Sequence, residues 1–131
     1  MKRIAITILL VGVSLGLIIV FFGGRGRTNN NTSQAKDNVT VVEGKQIITI
    51  SARGGYYPNN SVAKADMPTI LRVETNGTFD CSSALNIPNL GYRGNLPQSG
   101  TTDIEIPPQK AGATIRGLCA MGMYNFVLNF N

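Results

Sequence analysis

The sequence predicts an all-β domain, a Greek-key β sandwich or barrel, preceded by one N-terminal transmembrane helix. Three observations lead to this fold class. A nearly unbroken apolar run fills residues 4–22. Several segments from Val39 onward alternate apolar and polar residues with the period of two that is typical of strands. All six prolines lie beside or between those segments, where they favour turns and interrupt sheet hydrogen bonding.

The apolar run predicts a membrane anchor over residues 1–23. Only Thr7 and Ser14 interrupt the run, and a helix of roughly 20 residues spans a hydrocarbon core of ~30 Å. A cleaved signal peptide is the competing interpretation, because basic residues precede the run. The bulky pair Phe21-Phe22 stands where a cleavage site needs small residues. This favours an uncleaved, single-pass anchor in the cell membrane.

Residues 24–38 are polar and have no hydrophobic period, which predicts a flexible linker to a folded domain at residues 39–131. A random coil of this length has a root-mean-square span of roughly 20 Å, so the domain would stay close to the bilayer. Basic residues flank the apolar run on both sides. The sequence therefore leaves open which side of the membrane the domain occupies.

Within the domain, four segments carry a clear strand pattern and two carry a weaker one. Their spacing predicts an antiparallel arrangement, and the Pro-punctuated segment 80–100 predicts a large loop with one short strand. The clear strands are 46–52, 69–75, 103–106 and 124–130, and the weaker ones are 62–65 and 113–118. The expected core contains the tyrosines together with Ile48, Ile50, Leu71, Val73, Ile104, Ile106, Ile115, Phe126 and Leu128.

The composition excludes several classes of protein. The chain has no His, which excludes Ser-His-Asp and Cys-His catalytic sites, imidazole-bound zinc and an ordinary blue-copper site. We therefore expect a binding protein and not an enzyme. The net charge is +5, but residues 37–131 carry seven basic and seven acidic side chains. Because the basic excess belongs to the N-terminal tail, we expect no nucleic-acid binding.

Three sulfur-bearing residues stand close together near the C-terminus, in the loop between two expected strands. Cys119, Met121 and Met123 are spaced at i, i+2 and i+4, and Gly122 frees the backbone between the methionines. Thiolate and thioether groups are soft ligands that select Cu(I), which accepts two or three sulfurs. If the loop that carries the other thiol, Cys81, lies at the same end of the sandwich, both cysteines can bind one ion.

The same two cysteines also allow a structural disulfide. Linking Cys81 to Cys119 would stabilise the domain by roughly 3–4 kcal/mol on the loop-entropy model. The protein would then be a membrane-tethered extracellular β-sandwich module that acts in adhesion or assembly. The neighbouring thioethers favour copper, because a disulfide does not need them. Electron transfer is disfavoured, because Cu(II) would need imidazole ligands.

The domain resembles the cupredoxin-like domains of bacterial copper-handling proteins over about residues 44–131. An N-terminal membrane helix, an upstream Cys and a terminal Cys-x-Met-x-Met make it especially similar to the CupA-like family of membrane-anchored Cu(I) chaperones. One difference is Ala120, where related domains often have Gly. The landmarks are Gly54-Gly55-Tyr56-Tyr57-Pro58, Val62-Ala63-Lys64-Ala65, Cys81 followed by Ile87-Pro88, and Cys119-Ala120-Met121-Gly122-Met123.

This resemblance implies a cupredoxin fold that binds two Cu(I) ions per chain and serves copper homeostasis and copper resistance. Cys81 and Cys119 would form the tighter site, and Met121 and Met123 would complete a weaker second site with the thiolates. The implied partner is the metal-binding domain of a copper-exporting P-type ATPase, which would receive the ion by ligand exchange.

Overall fold

The computed structural model describes residues 38–131 and five residues of the N-terminal segment, Ile4, Ile6, Ile8, Val11 and Val13. Those five residues are helical and exposed. None of the helices formed by described residues is long and apolar enough to cross a membrane. The rest of the predicted anchor and nearly all of the predicted linker lie outside the described residues, so both stay predictions.

Residues 38–131 form ten strands and two short 3-10 helices. The 3-10 helices are Cys81–Ser83 and Pro88–Leu90. The prediction of an all-β domain is confirmed for this part of the chain. The strands are β1 (Val39–Val42), β2 (Lys45–Ala52), β3 (Tyr56–Tyr57), β4 (Asn60–Ala63), β5 (Thr69–Thr75), β6 (Ala84–Ile87), β7 (Tyr92–Asn95), β8 (Gly100–Ile106), β9 (Thr114–Cys119) and β10 (Asn125–Phe130).

The strands form two five-stranded sheets that pack face to face. The first has the order β1-β2-β5-β8, with β3 also paired to β2, and the second has the order β4-β10-β9-β6-β7. Two of the pairings, β2 with β5 and β4 with β10, are parallel. The expected antiparallel arrangement therefore holds for the other strand pairings of the described residues and fails for these two. The chain leaves β2, forms β4 in the opposite sheet and returns, so β5 runs in the same direction as β2.

The core lies between the two sheets and follows the alternation of the strands. All nine aliphatic and Phe side chains expected in the core are buried, with exposures of 0–6%. The tyrosines do not share one environment. Tyr56 is 2% exposed and belongs to the core, whereas Tyr57 is 61% exposed, and Tyr92 and Tyr124 are half-buried at its margin. The expectation that all tyrosines are core residues holds for Tyr56 alone.

Candidate metal centre

Cys81 lies where the chain crosses from the first sheet to the second, and Cys119 lies at the end of a strand of the second sheet. After β5 the chain enters the 3-10 helix that Cys81 begins, and then forms β6 in the second sheet. Cys119 is the last residue of β9 and pairs with Leu85 of β6. Ala120 donates its backbone N–H to the carbonyl of Ala84 at 2.9 Å. The β6–β9 pairing therefore holds the two cysteine-bearing segments side by side.

The structure brings Cys81 and Cys119 together, which is the condition under which both could bind one ion. Their Cα atoms are 5.8 Å apart, and their Sγ atoms are joined as a disulfide, so neither of the chain's two cysteines is free. This Cα separation is within the ordinary range for a disulfide. Cys119 is fully buried, and Cys81 is half-buried against the core. The sulfur pair thus lies at the edge of the core, with one side toward the surface.

The segment after Cys119 is a tight turn closed by backbone hydrogen bonds. Cys119 donates its N–H to the carbonyl of Tyr124 at 3.0 Å, and Gly122 donates to the carbonyl of Cys119 at 2.8 Å. Gly122 has a φ of +71°, which favours glycine. Tyr124 also directs its N–H at Cys119 Sγ, at 3.4 Å. A donor aimed at sulfur stabilises the anionic form that binds metal.

Both thioethers lie on the outside of this turn. Met121 is 77% exposed and Met123 is 63% exposed. A methionine that packed in the core would be buried, so neither thioether belongs to the core. The two thioethers follow the Cys119 thiol by two and four residues and are available to an ion at the surface. The structure thus brings all four predicted ligands, Cys81, Cys119, Met121 and Met123, to the same end of the sandwich.

Asp80 is the acidic residue next to this site. One carboxylate oxygen, Oδ1, accepts a hydrogen bond from Ser82 Oγ at 2.7 Å, while Oδ2 is buried and has no partner among residues 38–131. Tyr56 packs nearby and donates its hydroxyl to the carbonyl of Ser82 at 3.0 Å. Burial, with the charge of Asp80, raises the pKa of Tyr56 to about 12. The phenol of Tyr56 is therefore neutral at physiological pH.

A cleft of about 180 Å³ opens beside the methionine turn. The sequence does not predict this cleft. The strand pattern assigns Tyr57 to the core, and nothing in the sequence locates residues 55–59 next to residues 123–125. Asp, Glu and Cys side chains form no group of three or more suited to a metal in the described part of the chain. The cleft is lined by Gly55, Tyr56, Tyr57, Asn59, Met123, Tyr124 and Asn125.

Neither a protein-family model nor a curated protein sequence matches the chain. Solved structures do match. The metal-binding domain of the Cu(I)-exporting P-type ATPase CopA of Streptococcus pneumoniae D39, crystallised with Cu(I), aligns with a TM-score of 0.62 and 19% identity, over 71% of this chain and 92% of that one.

A copper-binding protein solved by NMR in its apo form aligns with a TM-score of 0.64 and 25% identity, over 71% of this chain and 94% of that one. Auracyanin from Roseiflexus castenholzii aligns over 70% of this chain, at 11% identity, with a TM-score of only 0.45. The first two likenesses span nearly the whole of each neighbour. The described β sandwich therefore has the fold of known copper-binding domains.

Proposed function

We propose that the chain is a Cu(I) chaperone or buffer that binds copper through Cys81, Cys119, Met121 and Met123. One observation carries the proposal: the two cysteines meet at one end of the sandwich, and the turn that follows Cys119 holds both thioethers in solvent. Cu(I) prefers thiolate and thioether ligands, so the reduced form of this end offers what that ion requires.

The differences in burial suggest how two ions per chain would be held. The cysteine sulfurs lie at the edge of the core, where an ion bound by both thiolates is shielded from water. The thioethers are neutral and exposed, so a second ion bound by them together with a thiolate would be held more weakly. A weak outer position offers an incoming thiol of another protein a place to begin ligand exchange. Binding and release of the ion require no catalysed reaction.

The fold shared with copper-binding domains supports a cupredoxin-like, CupA-like assignment. The apolar N-terminal run supports a single-pass membrane anchor, with the side of the membrane left open. The partner that we propose is the metal-binding domain of a copper-exporting P-type ATPase, in a pathway of copper resistance. One solved domain with this fold is described as the metal-binding domain of such an ATPase.

Titration with Cu(I) tests the proposal. The reduced full-length chain in detergent, kept anaerobic, is expected to bind two equivalents in competition with a chromogenic Cu(I) chelator. We expect the double variant Cys81→Ser, Cys119→Ser to bind essentially none, because the remaining thioethers are neutral and exposed. The double variant Met121→Leu, Met123→Leu is expected to bind one. Met67→Leu, at the far end of the sandwich, is the matched control and should bind two.

The second candidate function is a membrane-tethered extracellular β-sandwich module, and the observation that favours it is the disulfide between Cys81 and Cys119. A thiol count on protein isolated without reductant separates the candidates. Two reactive thiols support the chaperone. No reactive thiols, together with no Cu(I) binding after reduction, would support the module and contradict copper carriage.

A further inference from the structure

Tyr57 is an exposed aromatic residue whose position is fixed by the sheet. It pairs with Ser51 at the edge of the first sheet, and strand alternation directs its side chain away from the core that holds Tyr56. Its ring folds against the backbone of Gly55, where a methyl group would come within 3.2 Å of the ring atom Cε2. The ring thus lies against Gly55 although it is 61% exposed.

Tyr57 and Met123 line the same cleft, although 66 positions separate them in the sequence. Tyr124, the residue after Met123, also lines this cleft. Its backbone N–H points at Cys119 Sγ. The cleft therefore places an aromatic ring beside the thioether of Met123, the one proposed ligand in its lining. The cleft has no Asp, Glu, Lys or Arg in its lining, so an ion there meets no charged side chain from the wall.

An aromatic ring attracts a cation that lies over its face within about 6 Å. The thioether is a neutral ligand, so an ion bound by Met123 and Met121 with one thiolate keeps more positive charge than an ion held by two thiolates. We propose that the ring of Tyr57 forms the aromatic wall of the outer Cu(I) site and holds that ion by a cation–π interaction. This inference rests on the proposed function, because it needs a thioether-bound ion.

The consequence concerns the affinity of the second equivalent alone. A cation–π interaction at an exposed site contributes about 0.5–1 kcal/mol, and a factor of ten in affinity corresponds to about 1.4 kcal/mol. Removing the ring of Tyr57 should weaken the outer site by about two- to fivefold and leave the inner, two-cysteine site unchanged. Keeping a ring there should preserve the affinity.

The test uses three variants of the full-length, reduced chain, titrated with Cu(I) against a chromogenic chelator. Tyr57→Leu removes the ring, Tyr57→Phe keeps it, and Phe79→Leu removes another exposed aromatic side chain from the same end, one that does not line the cleft. We expect a weaker second equivalent in Tyr57→Leu only. Urea unfolding of the three apo proteins verifies that the fold is intact in each.

Tyrosine fluorescence gives a second readout, since the chain has four Tyr and no Trp. The second equivalent of Cu(I) should quench emission in the wild type and in Phe79→Leu. Most of that quenching should be missing in Tyr57→Leu and in Tyr57→Phe, because both lack the phenol whose fluorescence the ion would quench. Quenching that persists in Tyr57→Leu would mean that another tyrosine of the cleft, Tyr56 or Tyr124, senses the ion, and it would overturn the proposal.

The affinity data distinguish failure of this inference from failure of the proposed function. If the wild type binds no second ion, the outer site itself is wrong. If it binds two ions and Tyr57→Leu holds the second as tightly as Phe79→Leu does, the outer site stands and the aromatic wall is wrong. Equal weakening in Tyr57→Leu and Tyr57→Phe would also contradict a role for the ring.

Discussion

Tyr56 and Tyr57 are neighbours with opposite environments. The ring of Tyr56 packs edge-on against Phe126, with centroids 5.1 Å apart, and its hydroxyl donates to the carbonyl of Ser82. This hydrogen bond ties β3 of the first sheet to the residue after Cys81. Tyr57 turns outward to the cleft. One tyrosine therefore supports the cysteine segment from within, and the next lines the cleft beside Met123.

The hydroxyl of Tyr56 yields a prediction at the scale of a single atom. Tyr56→Phe should lower the free energy of unfolding by about 1–2 kcal/mol, because it leaves the buried carbonyl of Ser82 without its donor. Tyr57→Phe, an exposed control, should change it by less than about 0.5 kcal/mol. Urea unfolding of the disulfide-bonded proteins at neutral pH measures both. Equal effects would mean that the buried hydrogen bond contributes nothing.

We also predict how the stability difference between wild type and Tyr56→Phe depends on pH. The pKa of Tyr56 is raised from 10.0 to about 12 by burial and by Asp80, so the native state favours the neutral phenol. The associated stabilisation is fully present below pH 10 and is lost as the pH rises toward 12. The difference in unfolding free energy between wild type and Tyr56→Phe should therefore shrink over that interval. A constant difference would contradict burial of the phenol.

At the scale of elements, β9 and β10 fit together because β9 has no side chain at Gly117. Gly117 pairs with Phe126 across the two strands, and a Cβ placed on Gly117 would lie 2.2 Å from Phe126 Cζ. The ring of Phe126 thus occupies the space above the glycine.

Gly117→Ala should destabilise the domain by about 1–3 kcal/mol, since the added methyl group overpacks the site. Leu at position 126 is smaller than Phe, so the cost of Gly117→Ala should be lower when Phe126→Leu is present. A double-mutant cycle by urea unfolding measures this coupling. Additive effects would show that the two positions do not compete for space.

The sequence predicts the longer strands well and the shorter ones poorly. β2, β5, β8, β9 and β10 span six to eight residues each, long enough for alternation to appear. β1, β3, β6 and β7 have only two to four residues, and segment 80–100 contains two strands where one was expected. Short strands carry too few residues to show a period. β1 and β3 pair with β2, and β6 pairs with β7, so it is the missing period and not a distant partner that hides them.

The candidate site was predictable to a similar degree. Cys119, Met121 and Met123 carry soft sulfur ligands, and their close spacing in the sequence indicates a shared site. Cys81 is the other cysteine of the chain and is therefore the fourth candidate ligand. Tyr57 was not predictable as a site residue, because its outward direction depends on its register with Ser51. The parallel pairing of β2 with β5 could not be predicted from the sequence either. Alternation of apolar and polar residues is the same whether a strand runs parallel or antiparallel to its neighbour.

At the scale of the whole molecule, the cysteine pair links residues that are 38 positions apart. On the loop-entropy model this link should make the oxidised domain roughly 3–4 kcal/mol more stable than the reduced one. Saturating Cu(I) should restore stability to the reduced protein, because an ion that binds only the native state shifts the equilibrium toward it. Urea unfolding of the oxidised, the reduced and the Cu(I)-saturated reduced protein measures the three stabilities. The reduced protein without copper should be the least stable.

Reductant should have no effect on the double variant Cys81→Ser, Cys119→Ser, which serves as the control for that comparison. Equal stability of the oxidised and reduced wild type would contradict the entropic contribution of the link. Stability gained from Cu(I) by the cysteine-free variant would contradict the proposed ligands.

The position of the cysteine link also determines how the domain responds to mechanical force. The enclosed chain contains β6, β7, β8 and almost all of β9. When the ends are drawn apart, the 38 peptide units between Cys81 and Cys119 contribute no extension while the link is intact. Reduction frees a contour length of roughly 125–137 Å, at about 3.3–3.6 Å per residue. Single-molecule pulling would thus distinguish the reduced from the disulfide-bonded domain by the greater contour length released on unfolding.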